Sequence, residues 1–99
     1  LQGVADLCAK LYPEGDGQHA TASEVAVTYF QYPERQRNDP LTPRIAPIRE
    51  PFSDAADYRE KYPDGRIGSN PSLASAEDGA LIVEAAAKSL ADELLGLEA

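Results

Sequence analysis

The run Gly15-Asp16-Gly17-Gln18-His19-Ala20-Thr21-Ala22-Ser23-Glu24 holds the single histidine of the chain, His19, with a carboxylate five residues on at Glu24. An imidazole titrates near neutral pH, so it can take a proton from water or return one to a leaving amine. A carboxylate is a hard oxygen donor that suits zinc, manganese or iron beside imidazole ligands. The pair is raw material for a metal-hydrolase site, but one His and one Glu cannot hold a metal pair alone. Both residues also have plain structural readings. His19 can be a helix-flanking residue that hydrogen-bonds its own loop. Glu24 can be the capping partner of Thr21, at the third position of a helix that Thr21 opens. Asp16, between two glycines, reads as a turn residue.

The elements that must position these residues are unevenly marked. Val4, Leu7, Cys8 and Leu11 fall on one helical face and predict a helix over about 2–12, which Pro13, Gly15 and Gly17 then stop. In 21–32, Val25, Val27 and Tyr29 alternate as in a strand, but Val25, Thr28, Tyr29 and Tyr32 also form a helical stripe. The Thr21–Glu24 capping box favours the helix, ended by Pro33. Segment 33–72 carries seven of the eight prolines and reads as loop, with one or two helical turns at Asp54–Tyr62 and turn signals at Pro63-Asp64-Gly65 and Asn70-Pro71. The clearest element is a final helix over 75–95, with Ser75 and Asp78 at its cap and Gly96 as its expected stop. Val83, Ala86, Ala87, Leu90, Ala91, Leu94 and Leu95 give it a wide apolar face. No confident buried strand is legible, so the expected cover for these helices is a sheet from other sequence. Some forty mostly irregular residues are better explained if they pack over a larger body or a neighbouring subunit.

Composition narrows the function classes. Ninety-nine residues suffice for one small domain, and the net charge of −8 repels nucleic-acid phosphates and anionic membrane surfaces alike. No apolar run approaches the ~18 residues of a membrane helix, and no signal peptide is visible. The one cysteine, Cys8, excludes an internal disulfide and fits a cytoplasmic location; it reads as a small buried hydrophobe. The start at Leu1 and the lack of methionine read as an internal start.

Two stretches carry a family resemblance. Gly17–Glu24 resembles the His-Ala-Gly-x-x-Glu-Thr-Ser segment of the creatininase family. Pro63–Gly79 resembles that family's C-terminal Gly-x-x-Gly-(Asp/Asn)-Pro-x-x-Ala-(Thr/Ser)-x-x-x-Gly pattern, which leads into a last long helix. The two keep their order and rough separation. Departures occur at Thr21, where the family has Gly, and at Val25-Ala26, where it has Thr-Ser; no tryptophan is present to wall a creatinine-like substrate.

The resemblance implies an α/β fold, with this chain as the C-terminal part of a three-layer α/β/α domain. It implies a metal-dependent amidohydrolase that cleaves a C–N bond of a small cyclic or linear amide, commonly assembled as a homo-hexamer. It assigns His19 to catalysis near the bound water and Glu24 to a divalent metal, zinc, manganese or iron. The family's Glu-x-His, Asp and Asn-Gly-His segments do not occur here, so most ligands and the remainder of the domain are expected upstream, and the chain alone is expected to be inactive. The competing reading is a non-catalytic acidic interaction module that docks through its C-terminal Ala/Leu helix. Arg66 and Asn70, in the second motif, are read as structural.

Overall fold

The computed structural model describes residues 1–98. Four α-helices follow in order: α1 (Gln2–Leu11), α2 (Ala22–Gln31), α3 (Ala55–Lys61) and α4 (Ala76–Glu98), with single 3-10 turns at Pro33–Arg35 and Pro71–Leu73. Helices α1, α2 and α3 end the same way, at a tyrosine followed by proline. Tyr12, Tyr32 and Tyr62 all leave helical geometry, with φ near −130° and ψ of 73°, 68° and 74°. The proline ring excludes the helical conformation from the residue before it, so each Tyr-Pro pair is a stop.

Helix starts are set by side-chain caps. Thr21 Oγ1 accepts the Glu24 N–H at 3.1 Å and Glu24 Oε2 accepts the Thr21 N–H at 3.2 Å, a complete capping box. Asp54 Oδ1 accepts the Asp57 N–H at 2.9 Å and Ser75 Oγ accepts the Asp78 N–H at 3.1 Å. Gly96 does not stop α4, contrary to expectation, because it keeps helical geometry and the helix runs on to Glu98. A glycine ends a helix when it turns left-handed; the glycines with positive φ among the described residues are Gly15, Gly17, Gly65 and Gly68.

The core lies where α1 and α2 rest on the N-terminal half of α4. Tyr12, Ala22, Ala26, Tyr29, Ala74 and Ile82 form its centre, bordered by Val4, Leu7, Leu11 and a half-buried Cys8. Burial and the charge of Asp16 raise the Cys8 thiol pKa, against a smaller lowering by Ser23, so it stays protonated as packing material rather than a nucleophile. Gly79 permits the closest contact: a Cβ built on it would lie 2.0 Å from the Ala26 carbonyl oxygen of α2.

Segment 47–62 packs on itself around Phe52, Tyr58 and Tyr62, with ring centroids 4.9 Å and 5.1 Å apart in sequence. The Phe52–Tyr58 pair is edge-to-face and the Tyr58–Tyr62 pair tilted; such aromatic pairs contribute about 1 kcal/mol each beyond the area they bury. The buried Tyr62 hydroxyl accepts the Glu50 N–H at 2.7 Å and so ties the proline-rich segment to the end of α3.

The apolar face foreseen on α4 is largely open to solvent. Val83, Ala87, Leu90, Leu94 and Leu97, spaced alternately four and three apart, are all exposed, while Ile82 on the adjoining face is buried. No strand occurs among the described residues beyond one isolated bridge, His19 to Ile67. The described residues therefore contribute helices and loops only. Among the described residues no helix is long and apolar enough to cross a membrane.

Candidate functional site

His19 and Glu24 sit at the two ends of the loop-to-helix transition that opens α2. The loop before His19 is pressed against the 65–70 turn. Gly17, at φ +78°, crosses so closely that a Cβ would lie 2.5 Å from the Ile67 carbonyl oxygen and 2.6 Å from the Ser69 nitrogen. Only glycine meets both demands. The Ile67 carbonyl accepts the Gln18 N–H at 2.8 Å and the His19 N–H at 3.4 Å, and the Ile67 N–H donates to the His19 carbonyl at 3.3 Å. The Ser69 hydroxyl, fully buried, donates to the same His19 carbonyl at 2.8 Å.

On its other side the 65–70 turn holds the proline-rich segment: Gly68 N–H donates to the Pro47 carbonyl at 2.8 Å and Ala46 N–H to the Ser69 carbonyl at 3.0 Å. Three chain segments thus lie side by side, 17–19, 67–69 and 46–47. Arg66 locks the stack. Its side chain is 4% exposed, and its guanidinium donates to Asp64 Oδ2 at 2.7 Å and to the carbonyls of Arg44, Ser69 and Pro43 at 3.1, 3.1 and 2.7 Å. A planar, always charged fork is suited to such a fixed set of acceptors.

The Asp64 carboxyl feels burial, which raises its pKa, but the hydrogen bonds and charge of Arg66 outweigh this and hold it below the usual carboxylate range. Asp57, bonded by the Ser53 N–H and Lys61, is lowered as well. A folded-state pKa below the unfolded one contributes stability that is present above the unfolded value, about 4, and is lost as pH falls through the folded value. Acidification from pH 5 to pH 3 is therefore expected to lower the denaturation midpoint. Asp64→Asn should flatten that dependence; an unchanged pH slope in the variant would contradict the Arg66–Asp64 linkage.

His19 itself is exposed, and no hydrogen bond to its imidazole is formed among the described residues. Glu24 is also exposed. Its Oε2 takes both the Thr21 N–H and, at 3.0 Å, the Thr21 hydroxyl, which leaves Oε1 outside the capping box. Capping and a metal bond are thus not exclusive, because they can use different oxygens. Asp16 reads beyond its expected turn role: its Oδ1 accepts the Ser23 N–H at 2.9 Å and adds a second cap to α2. Among the described residues no group of three His, Cys, Asp or Glu side chains could hold a metal ion. His19 and Glu24 are therefore not brought into a closed donor set by this chain. The grooves lie elsewhere: two of about 380 Å³ run along Tyr12–Asp78 and along Tyr29–Arg37, and a shallower one of about 520 Å³ lies on α4 at Leu90, Leu94 and Leu97.

The family model described as Creatininase, creatinine amidohydrolase, matches residues 2–94. The chain belongs to the creatininase family. No curated protein matches it. Creatininase-family proteins are hydrolases with an α/β fold and are generally metal-dependent, and the match takes in both the His19–Glu24 run and the Arg66–Asn70 turn.

Sequence reasoning missed two features of the site. Ala20 has φ +55°, the left-handed region, where a non-glycine residue costs about 1–2 kcal/mol. Ser69 was not singled out, though it bonds the His19 backbone across fifty residues. Neither leaves a local signal, because both depend on what the chain meets far away. Asn70 is structural as expected: its Oδ1 accepts the Ser72 N–H at 3.2 Å and the Ser72 hydroxyl. Its buried Nδ2 finds no acceptor among the described residues, and an amide NH2 is no metal donor.

Proposed function

We propose that this chain supplies the proton-carrying histidine and one carboxylate ligand of a metal-dependent amidohydrolase that cleaves a C–N bond of a small cyclic or linear amide. The observation that carries this reading is the clamp on His19: both of its backbone groups are tied down within a family-matched segment while its imidazole stays exposed. Glu24 would hold the divalent ion, zinc, manganese or iron, through the oxygen its cap does not use. A bound ion would polarise the amide carbonyl and acidify water. His19 would take one proton from the attacking water and return it to the departing amine nitrogen, so that C–N cleavage yields a carboxyl group and an amine. The other ligands, the sheet that covers the exposed seam of α4, and the walls of the substrate pocket would come from residues outside 1–99, in a cytoplasmic homo-oligomer.

The exposed leucines of α4 also suit the second reading, an interaction module without chemistry. Glu24→Gln separates the two. Glutamine still completes a capping box, so stability should hold, while the affinity of the full-length protein for zinc should fall at least about tenfold. Thr21→Ala should do the reverse, with about 1 kcal/mol lost and zinc affinity kept. Equal zinc binding by Glu24→Gln and the parent would reject Glu24 as a ligand.

A further inference from the structure

We infer that Ala20 and Ser69 are positioning residues that fix the direction of the His19 side chain; the inference rests on His19 as the proton carrier. The described residues hold five positive-φ positions, and four of them are glycine: Gly15, Gly17, Gly65 and Gly68. The fifth is Ala20, next to His19, with φ +55°. Glycine would adopt that conformation without penalty, and this loop uses glycine freely, so a turn needed only for chain reversal has no use for a Cβ there.

The Cβ narrows the choices of the backbone. Glycine populates both signs of φ, and the peptide that joins residues 19 and 20 could rotate in a glycine variant. In the native chain that peptide is held through its carbonyl, and the next peptide, between residues 20 and 21, through its N–H. Its carbonyl, from His19, accepts the Ser69 hydroxyl at 2.8 Å and the Ile67 N–H at 3.3 Å. On the far side Thr21 N–H is bound by Glu24 Oε2 at 3.2 Å. Ala20 thus spans two anchored points, the clamp and the cap, and joins them with a left-handed φ. Strain held in place by surrounding bonds is a recurrent device for aiming a functional side chain. Of the two anchors on the His19 carbonyl, the Ser69 hydroxyl is the shorter, and its complete burial leaves that hydroxyl no solvent to bond instead.

The test is the side-chain rotamer of His19 in the full-length, zinc-loaded protein, read by NMR after 13C-histidine labelling, with its signal assigned by its loss in His19→Asn. The parent should show one rotamer. Ala20→Gly and Ser69→Ala should show averaging between rotamers, with the denaturation midpoint of Ala20→Gly unchanged or raised. Ala20→Asn, which tolerates the left-handed conformation and keeps a Cβ, should restore the single rotamer. With creatinine as the cyclic-amide probe and formamide as the linear one, kcat should fall about tenfold or more in Ala20→Gly, with KM little changed. A single rotamer retained in Ala20→Gly overturns the inference and leaves the role of His19 standing. Full turnover by His19→Asn overturns the role itself. The rotamer measurement does not depend on turnover, so the two failures are distinct.

Discussion

Replacing Gly79 with alanine is expected to destabilise the full-length protein by about 3 kcal/mol, the upper range for overpacking a tight contact. The added methyl would stand 2.0 Å from the Ala26 carbonyl oxygen, 2.6 Å from the Ala26 carbonyl carbon and 2.8 Å from Phe30 Cβ. Two of these atoms are α2 backbone, so no side-chain rotation relieves the overlap. Helix α2 must move away from α4, and the core centred on Ala22, Ala26 and Ile82 opens with it. The intrinsic preference acts in the opposite direction, because alanine is better than glycine in a helix interior by about 1 kcal/mol. Gly96 isolates that preference: it lies in the same helix and a Cβ there meets nothing within 4 Å. Gly96→Ala should therefore raise the urea midpoint slightly while Gly79→Ala lowers it strongly. Equal midpoints for the two variants would show that the α2–α4 crossing is not as close as described.

The helices were legible because their signals are local. Thr21 and Glu24 are three residues apart and announce a box that forms; Ser75, three residues before Asp78, announces a simple side-chain cap for α4. The Tyr-Pro pairs mark the stops through the sterics of adjacent residues. Gly96 misled because glycine only permits a helix end, and nothing near it supplies the bonds of a left-handed cap. The candidate site could be proposed from its residue types, but its assembly could not be read. His19 could be noticed as the single histidine, yet what holds it is the Ile67 peptide and the Ser69 hydroxyl, about fifty residues away. The burial of Arg66 is likewise set by carbonyls of Pro43 and Arg44, which carry no side-chain signature. Backbone acceptors gathered from distant loops leave no periodic trace in a sequence.

The other large effect concerns His19. Asparagine can keep polar contact with solvent at this exposed position but cannot exchange protons near neutral pH. General acid–base catalysis by a positioned side chain is worth about 10²–10⁴-fold, so His19→Asn should lower kcat by about that factor. Stability should change little, because the clamp uses the backbone of His19 and the Ser69 hydroxyl rather than the imidazole. Metal should also stay, because the proposed ligand from this chain is Glu24.

Metal content and kcat measured side by side in His19→Asn of the full-length protein test this account most directly. The predicted result is divalent metal bound at the parental stoichiometry with kcat for amide hydrolysis reduced at least about a hundredfold. Parental turnover, or loss of the metal together with activity, would contradict it.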